Sequence, residues 1–297
     1  MFRRLGLAAL VCGLVGAGVF WAVTAPDPLS EADVAGLTGD QAKGEAVFWA
    51  AGCASCHMAP GATGEAELVL AGGQVFASPF GNFIAPNISP DPSQGIGGWS
   101  LAQFASAVTR GVSPEGQHYF PAFPYGAYNK ANLTDIADLK AFMDGLPPSS
   151  TPSQPHEVGF PFNIRRNLGG WKFLFLSDDW VMTGDLTEAE TRGRYLVEAL
   201  AHCGECHTPR NPLGGLERDR WMAGGAIPGG KGSFPNITPA KLDWSQDEIV
   251  EYLTSGFTPA FDSVGGHMAH VVSNMARLPL EDREAVAAYV KKLPPAE

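Results

Sequence analysis

Positive charge is scarce in this 297-residue chain: 20 Lys and Arg stand against 31 Asp and Glu, for a net charge of −11, and no basic run occurs. Without a basic stripe to neutralise phosphates, nucleic acid is excluded as a partner. The acidic surface speaks for solubility and, secondarily, for steering towards a basic protein partner. Also missing are a phosphate-binding loop, a flavin or dinucleotide motif, a Ser/His/Asp arrangement and any alternating apolar pattern of β type around the cysteines. Long apolar runs are confined to one place. Leu5 to Ala25 follows Arg3 and Arg4 and precedes Asp27, Glu31 and Asp33. About 20 apolar residues suffice to cross a bilayer, and the flanking charges put the start of the run in the cytoplasm. A cleaved signal has a shorter apolar core, about 7–15 residues, and Pro26 directly after "VTA" is a poor cleavage product. Residues 1–29 are therefore expected to be a retained anchor, with a cleaved signal as the alternative; either way the remainder is exported.

Cysteine is also sparse. Cys12 lies inside the apolar run, and the other four form two pairs, Cys53/Cys56 and Cys203/Cys206. Disulfides are the ordinary use of cysteine in an exported chain, but each pair is followed immediately by a histidine, in "CASCH" (His57) and "CGECH" (His207). Cys-x-x-Cys-His is the spacing of covalent c-type haem attachment: two thiols one helical turn apart bond the porphyrin and the next residue is a proximal iron ligand. A zinc ribbon would place its second pair roughly 15–20 residues on, far closer than here. Two covalently bound c-type haems are the expected cofactors.

The flanking sequence repeats. Capping-box patterns open a helix before each site (Thr38 with Gln41, Thr187 with Glu190) and another after it (Ser100 with Gln103, Ser245 with Glu248). Between them "APNISPD" matches "FPNITPA", and Trp99 matches Trp244. Each half ends in a helical pattern, with Ile136, Leu139 and Phe142 or Val286, Tyr289 and Val290 at core spacing. The expected fold is all-α: two tandem class I cytochrome c-like haem domains, 30–148 and 185–297, behind an N-terminal transmembrane helix. Residues 149–184 join them; the Pro/Ser-rich start reads as a connector, while "FPFNIRRNLGGWKFLF" is too apolar to be free and is expected to pack across both domains.

The chain resembles the multihaem cytochrome c subunits of membrane-bound bacterial alcohol, gluconate and aldehyde dehydrogenases. The resemblance covers nearly everything after the anchor and is strongest in "FPFNIRRNLGGWKFLF", "RGRYLVEALAHCGECHTPRNPLGG", "FPNITP" and "GGHMAHVVSNMARLPLEDREAVAAYVKKLP". It implies electron transfer in the periplasm, at the bacterial inner membrane, from a dehydrogenase partner to a downstream carrier, quinone or oxidase. The chain departs from those subunits in carrying two haem motifs where they typically carry three. The resemblance further implies Met268 in "GGHMAHVV" as the sixth ligand of the second haem, with Met275 a lesser alternative and His267 and His270 beside it as surface residues. In the first half the family motif resembles "YPAMPY", but this chain reads "FPAFPY", with Phe123 at the ligand position. Gly111 precedes Phe123 by as many residues as Gly256 precedes Met268, so the internal repeat gives the same alignment.

Three readings of the first haem follow. His118, on the same loop, replaces the missing methionine; or a distant residue such as Met143 or Met58 does so; or the sixth position is open, as a peroxidase-like or thiosulfate dehydrogenase-like enzyme would need. No cysteine remains for Cys/His ligation apart from Cys12, which weakens the thiosulfate branch. A purely structural subunit is a further alternative. Arg165, Arg166 and Arg210 are candidates to pair with haem propionates, and Pro60 and Pro209 to shape the loops holding the proximal histidines.

Overall fold

The structure is a computed structural model that describes residues 2–297, apart from the side chains of residues 8 and 9. Helix α1 (Phe2–Val23) is apolar all round and carries no tertiary cover over its apolar window. It stands apart from two helical clusters. The first comprises α2 (Gln41–Ala51), the short α3 (Cys53–His57), α4 (Leu101–Ala105), the single turn α5 (Tyr125–Tyr128) and α6 (Leu133–Asp144). The connection from it carries α7 (Asn167–Phe175). The second cluster comprises α8 (Glu188–Arg194), α9 (Gly204–His207), α10 (Gln246–Ser255), α11 (His267–Met275) and α12 (Leu280–Lys292).

In each cluster the helix before the Cys-x-x-Cys-His motif crosses the last helix: α2 packs on α6 and α8 on α12. A glycine permits both crossings. A Cβ on Gly44 would stand 1.9 Å from the carbonyl oxygen of Asp138, and one on Gly193 would stand 2.0 Å from that of Ala285. Around the crossings Phe48, Ile136 and Leu139, and Val197, Val286, Tyr289 and Val290, are buried, and one continuous apolar core runs through both clusters. Three of the four expected capping boxes form, at Ser100, Thr187 and Ser245. The fourth does not: α2 starts later, capped by Asp40, whose carboxylate accepts from Ala42 and Lys43 N–H. Asp40 wins because its own N–H is held at 2.6 Å by the buried Asp138 of α6, which fixes the turn two residues beyond Thr38.

An all-α chain should contain no sheet, and here the expectation falls short. Strands β1 (Val75–Ser78), β2 (Gly81–Ile84) and β3 (Glu157–Val158) form a small antiparallel sheet, with Val75 opposite Ile84 and Gly81 opposite Val158. A two-residue pair, β4 (Gly225–Ala226) and β5 (Ser233–Phe234), lies in the matching stretch of the second cluster. β1–β2 and β4–β5 close locally after each motif, β3 joins from the connection, and all are too short to show a period of two. Two helices also end in π-turns, Ser106–Arg110 after α4 and Tyr195–Leu200 after α8. They occupy different places in the two clusters, so the repeat is not exact.

Candidate haem centres

Each Cys-x-x-Cys-His motif sits on a short helix whose one turn brings the two thiols and the histidine to one side. The thiols are unpaired. Burial pushes the free thiols of Cys53 and Cys203 up to about 12 and those of Cys56 and Cys206 up to about 11. The negative charge that a Cys206 thiolate would carry adds to the rise at Cys56.

The histidines are set identically. His57 Nδ1 lies 2.9 Å from the Pro86 carbonyl and His207 Nδ1 lies 2.8 Å from that of Pro235. A carbonyl only accepts, so Nδ1 carries the proton in both rings and Nε2 keeps its lone pair. Burial lowers both pKa values, and the carbonyl bonds oppose that only in part, which keeps the imidazoles neutral. A neutral ring oriented through Nδ1, with Nε2 free, is the donor an iron takes. Both acceptors are proline carbonyls from the matched loops. The loops are pinned alike: Gly72 and Gly224 N–H donate to the carbonyls of His57 and His207, each at 2.7 Å. Asn87 and Asn236 accept from the N–H two residues on and donate to the end of their own cluster, Ser149 and Ala296 respectively.

Residues 41–147 match the Cytochrome c family. Over 98% of both chains, the protein is 56% identical to a dihaem cytochrome c-type protein of Cereibacter sphaeroides. The chain belongs to the dihaem cytochrome c family. It is also 36% identical to the fructose dehydrogenase cytochrome subunit of Gluconobacter japonicus, over 99% of this chain and 60% of that one. A third relative, the gluconate 2-dehydrogenase cytochrome c subunit of Pantoea cypripedii, is 31% identical over 87% of this chain and 62% of its own length. The chain thus spans about three-fifths of the length of either dehydrogenase subunit. This dihaem cytochrome c binds two c-type haems covalently, and the two sets of paired thiols and Nε2-free histidines fit them. The haems supply a one-electron redox couple; the chain supplies ligands, enclosure and placement.

The distal loops of the cytochrome are built in one register. Val112 bridges His118 and Phe257 bridges Ser263; Tyr119 N–H donates to Gly111 at 2.8 Å and Val264 N–H to Gly256 at 2.7 Å. His118 is therefore the counterpart of Ser263, and Phe123 the counterpart of Met268. Met268 opens α11, half-buried against the core, whereas Met275 on the same helix is buried within it. Phe123 is likewise half-buried, among Tyr119, Tyr125 and Tyr128. His118 is 3% exposed, and its Nε2–H donates to the Thr24 carbonyl at 3.0 Å. Its Nδ1 has no partner among the described residues, and burial lowers its pKa. Met58 and Met143 are buried in the core. His267 and His270 are exposed, His267 with its ring 6.3 Å from that of Phe76.

The arginines are committed to protein partners. Arg165 lies 4.0 Å over the Phe120 ring and donates to the His118 carbonyl. Arg166 stacks on Trp21 and donates to Thr24 Oγ1 and the Trp21 carbonyl, at the end of α1. Arg210 pairs with Glu205 and donates to the Gly214 carbonyl.

Two contacts across the motifs were not foreseen. Asn274 of α11 donates to Ser55, inside the first motif, at 2.9 Å. His202, directly before Cys203 and at φ +42°, packs edge-on against Tyr128, whose hydroxyl donates to the Ala51 carbonyl at 2.9 Å. Neither pair has a spacing to betray it; only the left-handed backbone at His202, where a histidine is uncommon, marks the place.

Proposed function

We propose that this cytochrome relays electrons in the periplasm from a dehydrogenase partner to a downstream carrier, quinone or oxidase, with α1 as its anchor in the bacterial inner membrane. The observation that carries the reading is the contact between the two halves next to the motifs, where Asn274 of α11 donates to Ser55 of the first motif and His202, beside the second, packs on Tyr128. Two redox centres in halves joined by such contacts suit a relay, because their separation is fixed. The cytochrome subunits of fructose, gluconate and alcohol dehydrogenases among the relatives support a dehydrogenase as donor. The chain divides for this purpose into haem domains 30–148 and 185–297, with 149–184 between them. Met268 is the sixth ligand of the second haem. Arg165, Arg166 and Arg210 remain the candidates for propionate pairing, each by exchanging a present protein contact.

A second reading is favoured at the first haem by one observation: Phe123, which cannot ligate iron, holds Met268's place in the register. His118 is enclosed by protein and turned to Thr24, so ligation through it requires rearrangement of that contact. These observations favour a sixth position open to small oxidants or reductants over a His/His centre. Low-temperature EPR of the oxidised, purified protein separates the readings. Two low-spin signals support a pure relay with a second nitrogen ligand; one low-spin and one high-spin signal supports the open site. Stopped-flow reduction by a purified membrane dehydrogenase tests the relay itself, and a failure of both haems to reduce faster than in the enzyme's absence would overturn it.

A further inference from the structure

The connection between the clusters bears an apolar face with nothing over it. Phe160 is 81% exposed, Phe173 70% and Leu174 64%, and Phe162 and Ile164 are also exposed. On α7, Phe173 and Leu174 point outwards, while the opposite side packs on the protein: Gly169 is buried and Lys172 donates to the Arg110 and Gly111 carbonyls at 2.6 and 2.9 Å. That inner side is where α1 ends. Thr24, 1% exposed, lies so close to α7 that a Cβ on Gly169 would meet its carbonyl oxygen at 2.4 Å. Arg166, next to α7, stacks 4.1 Å over Trp21 in the last turn of α1 and donates to Thr24. The apolar face is thus bolted to the point where α1 stops. Between Gly159 and Ser177 the charges are Arg165, Arg166 and Lys172, with no acidic residue, in a chain of net charge −11.

We infer that residues 160–174 seat in the interfacial layer of the bilayer that α1 enters. Phe160, Phe162, Ile164, Phe173 and Leu174 contact acyl chains there, and Trp21 lies at headgroup level. An apolar patch of this kind marks an interaction surface, and two properties choose lipid over a protein partner. The face is continuous with the end of α1, and its aromatic residues suit the interface. The inference rests on the reading of α1 as an anchor. Its consequence is that the first haem domain is held against the membrane by two attachments and cannot swing freely.

The test is photolabelling of the full-length holoprotein in phosphatidylcholine/phosphatidylglycerol vesicles containing a phospholipid with an acyl-chain diazirine, with adducts mapped by peptide mass spectrometry. Adducts are expected on residues 2–23 and on 160–174. Adducts on 2–23 alone would overturn the inference and leave the anchor standing; none on either would remove both. The double variant Phe173→Glu/Leu174→Glu should lose the adducts on 160–174 and keep those on 2–23, with an unchanged haem absorption spectrum reporting intact folding. Undiminished adducts on 160–174 in that variant also overturn it.

Discussion

At the scale of single residues, His57 and His207 share one setting, while Phe123 and Met268 differ at matched positions. Replacing Met268 with Ala should convert the second haem from low- to high-spin and lower its reduction potential, because a thioether opposite histidine raises it; EPR and a spectroelectrochemical titration check both. His118→Ala should leave the EPR spectrum unchanged and instead destabilise the fold by about 1–3 kcal/mol, the cost of leaving the buried Thr24 carbonyl without its donor. Loss of a low-spin signal in that variant would make His118 a ligand after all. Lys172 has a pH signature of its own. Burial lowers it to about 7, so above that pH the unfolded chain binds the extra proton up to the ordinary lysine value of about 10.4. Stability should therefore rise with pH across that window, and Lys172→Met should flatten the dependence in chemical denaturation curves.

At the scale of elements, the helix starts were legible because a capping box is a local contract between residues three apart, and Ser100, Thr187 and Ser245 honour it. Thr38 failed for a non-local reason: Asp138, nearly a hundred residues on, fixes the backbone of Asp40 and moves the start of α2. The helix crossings tolerate even less change. Gly44→Ala or Gly193→Ala puts a methyl group into the backbone of the partner helix, and each should cost about 1–3 kcal/mol or more through overpacking. Thermal unfolding of the holoprotein, followed at the haem band, reports either loss. The short strands escaped notice because two to four residues carry too little pattern to distinguish from a loop.

At the scale of the whole molecule, the decisive feature is that the two clusters meet beside the motifs. Asn274→Ala removes the hydrogen bond that ties α11 to Ser55, and it should slow electron exchange between the haems without altering the spectrum of either. Flash photolysis of a half-reduced sample measures that rate directly. The connection between the clusters meets the first half at Asn129, which donates to the Ser177 carbonyl at 3.1 Å, and the second at Leu213, whose carbonyl accepts from Trp171 at 3.0 Å. It does so while presenting its exposed apolar side outwards.

The sequence by itself determined the cofactor and its number, because thioether attachment needs two thiols and a histidine at one fixed spacing. It also determined the helical repeat, since caps and helical periodicity are written within a few residues of each other. Only the tertiary structure decided which carbonyls orient His57 and His207, that His118 turns to the end of α1 and that Asn274 meets Ser55. Those depend on residues distant in the chain, and whether such residues meet is set by packing of the whole core, which no local pattern encodes.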